Sequence, residues 1–187
     1  MRALKGDWYL SDPPIPISEW IGNYIANELA KMPFTDFFAS KPVLVPTPSS
    51  SLKDPDALWV PLRLANAMVR GGLGKMMLSC LQRIQPLPKS ATSLAENRPK
   101  AVDHYRTIGI QKIFAEEPEE ILLIDDVVTR GATLLGAANK LADVFPNAKI
   151  RAFAVMRTIS VPEEFKAIIS PCKGTIQLFG VDTYREP

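Results

Sequence analysis

Two adjacent carboxylates, followed by a short loop of hydroxyl-bearing residues and one glycine, form the pattern in this sequence best suited to chemistry. The pattern runs from Ile121 to Thr133 and reads ILLIDDVVTRGAT. Its continuous apolar start predicts a β-strand that is buried on both faces, as in a parallel sheet. Such a strand would deliver Asp125 and Asp126 to its carboxyl end, and the loop after them leads directly into a predicted helix.

The loop has the composition of a phosphate-binding site, and its candidate residues are Thr129, Arg130, Gly131, Ala132 and Thr133. Backbone N–H groups at a helix N-terminus lack intrahelical partners, and the helix dipole favours an anion there. Gly131 has no Cβ to block close approach of the backbone to a ligand. The threonines add hydroxyl donors, and Arg130 either adds positive charge or points to solvent.

The two acids would repel a phosphate, so they should contact another part of the ligand. A carboxylate can accept hydrogen bonds from both hydroxyls of a ribose, and it can also bind Mg²⁺. We therefore take Asp125 and Asp126 as candidate catalytic residues and as candidate metal ligands. The alternative is that they simply end a strand and that Thr133 caps a helix. The segment matches neither a Walker A motif nor a dinucleotide-binding fingerprint.

The thirteen residues closely resemble the signature of type I phosphoribosyltransferases, which bind phosphoribosyl pyrophosphate (PRPP). The resemblance implies that Asp125 and Asp126 bind the ribose hydroxyls and that Thr129 to Thr133 surround the 5-phosphate. It also implies a Mg²⁺-dependent transfer of the phosphoribosyl group to a small nitrogenous acceptor, with release of pyrophosphate. Family members are commonly homodimers. Hypoxanthine-guanine-type members have an acidic base where this chain has Thr129, which makes a 6-oxopurine acceptor less expected.

Within this family the chain is most similar to the ComF-type branch. The similarity rests on Gln82 to Ile84, on Arg98 and on a strand from Ile110 to Phe114. The zinc-binding cysteines of that branch are missing from the N-terminus. The glutamine and asparagine usual along its long loop are replaced near Lys89 and His104.

The resemblance also implies a pyrophosphate site built from two further segments. One is the loop after an early strand, where a plain proline- and serine-rich turn is the alternative. The other is the polar, basic stretch from Gln85 to Arg106, read either as an active-site lid or as a surface excursion. His104 is either a general acid or, more in keeping with a lone histidine, a packing or surface residue. The candidate pyrophosphate ligands are Thr47, Pro48, Ser49, Ser50, Lys89 and Arg98.

Alternating apolar strands and amphipathic helices predict an α/β fold, a parallel sheet with helices on both faces. We expect residues 1–40 to form an N-terminal extension or hood and residues 41–187 to form the phosphoribosyltransferase core. The expected helices are Glu19–Lys31, Pro61–Val69 and Leu134–Phe145. The expected strands are Val43–Val45, Met76–Leu81, Ile108–Phe114, Ile121–Ile124 and Ile150–Met156.

The composition is that of an ordinary globular protein, with 47% hydrophobic and 22% charged residues. The net charge of +2 gives no support for nucleic-acid binding, which needs clustered Lys and Arg. The sequence has no apolar run of membrane-spanning length and no secretory leader, so a cytoplasmic location is expected. Two hypotheses compete with a transferase: a PRPP-binding regulatory or accessory protein without catalysis, and a scaffold in which the two acids are buried and paired with core residues.

Overall fold

The computed structural model describes residues 1–52, 57–88, 98–111, 116–159, 163, 167 and 169–186. Helices and strands alternate through most of this part of the chain, as expected for an α/β fold. The α-helices are α1 (Arg2–Lys5), α2 (Ile17–Glu28), α3 (Val60–Arg70), α4 (Ala101–Thr107) and α5 (Ala132–Ala142), with short 3-10 turns at Leu29–Lys31 and Thr35–Phe37. The strands are β1 (Tyr9–Leu10), β2 (Ile15–Pro16), β3 (Val43–Pro46), β4 (Met76–Met77), β5 (Leu81–Arg83), β6 (Ile108–Ile110), β7 (Glu120–Val128), β8 (Lys149–Arg157), β9 (Thr175–Phe179) and β10 (Asp182–Glu186).

A four-stranded parallel sheet with the order β4-β3-β7-β8 forms the centre of the molecule. The predicted α/β fold with a parallel sheet is therefore confirmed. In the long central strand β7, Ile121 to Ile124 are all buried, which explains the unbroken apolar run in the sequence. Three antiparallel pairs lie outside this sheet: β1 with β2, β5 with β6, and β9 with β10.

The sheet separates two apolar cores, because successive side chains of a strand point to opposite faces. On one face Leu122 and Ile124 pack with residues of α2 and α3, among them Ile25 and Leu64. On the other face Leu123 packs with α5, together with residues from the β5–β6 pair. Helices thus cover both faces. Leu4, Phe34 and Phe38, from residues 1–40, belong to the same core as Leu122.

The structure corrects two of the expected elements and adds a hairpin. The stretch from Met76 to Leu81 is not one strand, since β4 ends at Met77 and a separate strand β5 begins at Leu81. The loop predicted from Gln85 to Arg106 ends earlier, because Ala101–Thr107 is helical. This helix begins where the Asp103 carboxylate accepts the Lys100 backbone N–H at 2.9 Å, and seven residues are too few to show a helical period. The β9–β10 hairpin was not expected.

No helix in the described ranges is long and apolar enough to cross a membrane. The predicted strand Ile108–Phe114 is confirmed as far as Ile110, and its last residues, 112–114, lie outside the described part of the chain. The remaining predicted helices and strands occur within a few residues of their expected bounds, which is the usual spread at element ends.

Candidate functional site

The candidate site lies where the connections of the sheet change direction. From β3 the chain passes through α3 to β4 on one side, and from β7 it passes through α5 to β8 on the other. In open parallel sheets a crevice forms outside the carboxyl ends of two strands that diverge in this way, and ligands bind there. The loop beginning at Thr47 follows β3, and the loop beginning at Thr129 follows β7. The topology therefore brings the two candidate phosphate-binding loops together.

Asp125 faces the cleft and is almost fully buried, at 9% exposure. Its Oδ1 accepts a hydrogen bond from the Thr47 hydroxyl at 2.9 Å and another from the Asp126 backbone N–H at 2.9 Å. Burial, and next the negative charge of Asp126, raise the pKa of Asp125 well above its ordinary value, and the Thr47 hydrogen bond only partly offsets this. The site therefore holds a carboxyl group whose ionised form is disfavoured.

Asp126 lies on the opposite face of β7, on the side of α1. It is 8% exposed, and its Oδ2 accepts a hydrogen bond from the Lys5 ammonium at 2.9 Å. The Lys5 side chain is half exposed, so this pair is partly screened by solvent and contributes little to stability. Strand alternation thus separates two acids that the sequence interpretation had assigned to one ribose. Their roles remain predictions.

The Thr129–Thr133 loop has the backbone geometry of a helix-start anion site. Gly131 is the N-cap of α5, in the left-handed conformation with φ of 87°, which glycine adopts at little cost. The Leu135 N–H donates to the Gly131 carbonyl at 2.9 Å, and this is the first intrahelical bond. The N–H groups of Ala132, Thr133 and Leu134 therefore have no intrahelical acceptor and are placed to bind an anion.

The unexpected β9–β10 hairpin packs directly on this loop. Arg130 is paired with Asp182, so its guanidinium contacts the hairpin. Arg185 donates from Nε to the Thr129 carbonyl at 2.8 Å. A Cβ built on Gly131 would lie 2.6–2.8 Å from three side-chain atoms of Ile176. Gly131 is therefore required by close packing against the hairpin as well as by its positive φ.

The loop after β3 is held at Thr47 by hydrogen bonds to Ile124 and from Trp59. Thr47 is buried, and its backbone N–H donates to the Ile124 carbonyl at 2.9 Å. The Trp59 indole N–H donates to the Thr47 carbonyl at 2.8 Å. Pro48 is buried, Ser49 is exposed and Ser50 is half-buried. The exposed Ser49 donates its hydroxyl to the Ser51 carbonyl, as in a serine-rich turn, so its role towards pyrophosphate stays a prediction.

A buried polar network connects the two loops. The Arg83 guanidinium donates from Nε to the Ser49 carbonyl at 2.9 Å and from Nη1 to the Thr107 hydroxyl at 2.6 Å. Its Nη2 lies 3.3 Å from His104 Nδ1, and His104 Nε2 lies 3.4 Å from Thr133 Oγ1. Burial, and next the Arg83 charge, lower the pKa of His104 to about 4, against a smaller opposing effect of Asp103. The histidine is thus neutral at pH 7.

A cavity of about 40 Å³ lies within the cleft, with room for roughly three water molecules. Arg98 is half-buried and lines it. Lys89, the other lid cation assigned to pyrophosphate, lies outside the described residues. The residues that surround the cavity include His104, Asp125, Thr129, Arg130, Gly131, Ala132 and Thr133.

Magnesium binding would depend on the ligand as much as on the protein. Within the described ranges no three His, Cys, Asp or Glu side chains come together as a metal cluster. Mg²⁺ is commonly held by one or two carboxylates together with substrate phosphates. Asp125, whose carboxylate faces the cleft, fits that pattern, whereas Asp126 lies on the opposite face of β7 and is paired with Lys5.

No protein-family model and no curated protein sequence matches this chain. Among solved structures, hypoxanthine phosphoribosyltransferase from Staphylococcus aureus is 14% identical, over 82% of this chain and 68% of that one, with a TM-score of 0.38. The Trypanosoma cruzi hypoxanthine phosphoribosyl transferase is 15% identical, over 88% and 79%, with a TM-score of 0.35. TM-scores this low do not establish a common function, so the functional argument rests on the site itself.

Sequence reasoning missed the residues that hold the site together. Lys5, Arg83, Asp182 and Arg185 each bond a residue of the candidate site from a distant part of the chain. The period-two alternation of β7 could have shown that adjacent acids face opposite sides. The other contacts depend on tertiary packing, and the local sequence carries no signal of them.

Proposed function

We propose that this protein is a PRPP-binding phosphoribosyltransferase that transfers a 5-phosphoribosyl group to a nitrogenous acceptor and releases pyrophosphate. The observation that carries the proposal is the meeting of two loops at the point where the sheet connections diverge. One loop offers helix-start amides and the Thr133 hydroxyl, and a buried carboxylate, Asp125, lies beside it. A sugar phosphate requires this combination, because its phosphate needs donors and its hydroxyls need acceptors.

In this proposal the chain binds PRPP in three parts. The amides at the start of α5 receive the 5-phosphate. Asp125 and Asp126 accept the ribose hydroxyls, which requires the Asp126 side chain to leave Lys5 and turn from the opposite face of β7 towards the cleft. The Thr47–Ser50 loop, with Lys89 and Arg98, contacts pyrophosphate, whose negative charge grows as it leaves. Residues 1–40 would form the hood that selects the acceptor.

Asp125 would help to hold Mg²⁺ together with PRPP, and the ion would neutralise part of this growing charge. The raised pKa of Asp125 bears on this function. A nearby cation would favour the ionised carboxylate and so lower that pKa again. Binding of PRPP with Mg²⁺ is therefore expected to convert a disfavoured carboxylate into a paired one.

The alternative is a PRPP-binding regulatory or accessory protein without catalysis. It is favoured by Thr129, which provides no carboxylate where hypoxanthine-guanine-type enzymes have an acidic base. The burial of Asp125 and Asp126 also agrees with a scaffold, although Lys5, the partner of Asp126, is a half-exposed surface residue and not a core residue. Assignment to the ComF-type branch, a homodimer and a cytoplasmic location remain proposals of the resemblance.

Calorimetric titration with PRPP, with and without Mg²⁺, tests the proposal, followed by a screen of nitrogenous bases for pyrophosphate release. We expect PRPP to bind more tightly with Mg²⁺ and at least one base to give pyrophosphate. Binding without release from any base would favour the regulatory protein. No binding of PRPP under either condition would contradict both readings.

A further inference from the structure

Arg83, His104 and Thr133 form a buried chain of hydrogen-bonding groups behind the phosphate loop. Arg83 is 5% exposed and His104 is 4% exposed. Arg83 Nη2 lies 3.3 Å from His104 Nδ1, and His104 Nε2 lies 3.4 Å from Thr133 Oγ1. This series of hydrogen-bonding groups begins at Arg83 on β5, passes through His104 on α4 and ends at Thr133 in the first turn of α5. The sequence analysis did not predict that these three residues would contact one another.

The chemistry of arginine decides which atoms donate and which accept along this series of hydrogen bonds. A guanidinium has only donors, and although burial lowers the pKa of Arg83 to about 10, the group is still protonated at neutral pH. His104 Nδ1 must therefore accept the hydrogen bond from Arg83, which places the ring proton of the neutral imidazole on Nε2. Nε2–H then donates to Thr133 Oγ1, and the hydroxyl proton of Thr133 is left to point elsewhere.

We propose that Arg83 and His104 are positioning residues that orient the Thr133 hydroxyl as a donor towards a phosphate monoester in the cleft. The inference rests on the proposed function for the identity of the ligand group. Thr133 and the amides beside it would then present donors only, which suits an oxygen-rich anion with no proton to donate. Arg83 also donates a hydrogen bond to the Ser49 carbonyl, which connects these three residues to the loop after β3.

The donor and acceptor roles in this series of hydrogen bonds stay the same across the neutral pH range. The groups that face the imidazole are Arg83 from β5, Asp103 from its own helix and Thr133 from α5. Burial and Arg83 lower the pKa of His104 to about 4 and outweigh Asp103. The imidazole is thus a fixed donor to Thr133 and not a pH switch.

The first test is nitrogen-15 NMR of the imidazole in the wild-type protein, prepared without a histidine tag. His104 is the sole histidine of the sequence, so its two ring nitrogens give the only imidazole signals. We expect the Nε2–H tautomer, with no titration between pH 5.5 and 8. An Nδ1–H tautomer, or a titration near pH 6.5, would overturn the inference without any variant having to fold.

The second test is the affinity for ribose 5-phosphate of a double-mutant cycle. His104→Asn retains an acceptor for Arg83 but cannot reach Thr133, and Thr133→Val removes the hydroxyl without changing its shape. Each change should weaken binding by about tenfold, the lower range for a hydrogen bond to a charged group. The double variant should be no weaker than either single variant, because both remove the same donor. Thr133→Ser, which restores the hydroxyl, should bind like wild type.

Tyr105→Phe is the matched control. Tyr105 follows His104 in α4, but its hydroxyl donates to Asp143 at an exposed position, so its removal should leave the affinity unchanged. Additive losses in the cycle, or a His104→Asn variant that binds like wild type, would overturn the positioning role of Arg83 and His104 while the proposed function stands. If the wild type bound no phosphate ester, both the proposed function and the role of the Thr133 hydroxyl as a donor to phosphate would be wrong.

Discussion

Replacing Asp125 by Asn should make the protein more stable while weakening its binding of PRPP. In the folded state Oδ1 of Asp125 accepts hydrogen bonds from the Thr47 hydroxyl and the Asp126 N–H, and an asparagine Oδ1 can accept both. The substitution therefore retains these contacts, removes the charge and replaces Oδ2 with an amide NH2 that faces the cleft. That charge is buried beside a second carboxylate, and both conditions disfavour it.

The expected gain is about 1–3 kcal/mol at pH 8, the usual cost of a buried group that is incompletely compensated. Its pH dependence follows from the raised pKa of Asp125. A group whose folded-state pKa is raised stabilises the fold below its unfolded pKa of about 4, and this contribution is lost as the pH rises through the folded-state value. The wild type should therefore approach the variant in stability near pH 4 and fall below it as the pH rises.

Urea denaturation followed by tryptophan fluorescence, from pH 4 to pH 8 in the presence of EDTA, measures this difference. Asp126→Asn is the matched control, because Asp126 has a cationic partner in Lys5 and its neutralisation should bring no comparable gain. If Asp125→Asn were destabilising at pH 8, or if its effect did not change with pH, the carboxylate would not be disfavoured in the fold and our reasoning about the site would be wrong.

Three further predictions follow from the contacts around the site. Asp126→Asn should weaken PRPP binding by about 1–3 kcal/mol, whereas Lys5→Met should leave it unchanged or strengthen it, because Lys5 is paired with Asp126. Calorimetry measures both affinities, and wild-type affinity in Asp126→Asn would refute the ribose assignment. Gly131→Ala should cost about 2–4 kcal/mol of stability, because the position has a positive φ and the new methyl group would collide with Ile176. Ile176→Ala should make that cost smaller, and purely additive losses in urea denaturation would exclude the collision. Limited proteolysis should cleave between Gln85 and Lys100 in the free protein, and PRPP with Mg²⁺ should protect this stretch; equal cleavage with and without ligand would leave it a surface excursion.

The central strand and its helix could be predicted because their signals are local and strong. Ile121 to Ile124 is a continuous apolar run, and Leu134, Ala137 and Leu141 recur at helical spacing on the buried face of α5. The turn into the helix was also predictable, since Gly131 is the residue type that a left-handed N-cap favours. These elements fix the carboxyl edge of the sheet, and with it the location of the candidate site.

The parts that escaped prediction depend on weaker or non-local signals. Helix α4 has one hydrogen-bonded cap at Asp103 and is too short for a hydrophobic period. The β9–β10 hairpin has an exposed apolar surface that includes Leu178 and Phe179, so its burial pattern gives no clear alternation. Its role became visible only through its contacts with the phosphate loop, such as Arg185 with the Thr129 carbonyl.

The separation of Asp125 from Asp126 is the instructive case. The sequence interpretation treated the two acids as one functional pair because they are adjacent. In an extended strand adjacent side chains diverge, so one acid faces the cleft and the other faces Lys5. The sequence therefore predicted that both acids lie near the carboxyl end of the strand, but not the direction in which each side chain points.

A crystal structure of the protein with ribose 5-phosphate, and a parallel one in sulfate, tests the central claim most directly. We expect the phosphate or sulfate to lie within hydrogen-bonding distance of the backbone amides of the Thr129–Thr133 loop, with the sugar hydroxyls directed to Asp125 and Asp126. Little rearrangement of the loop is expected, because the start of α5 already fixes those amides. An anion bound elsewhere, with this loop empty and its amides bonded to protein groups, would contradict the claim.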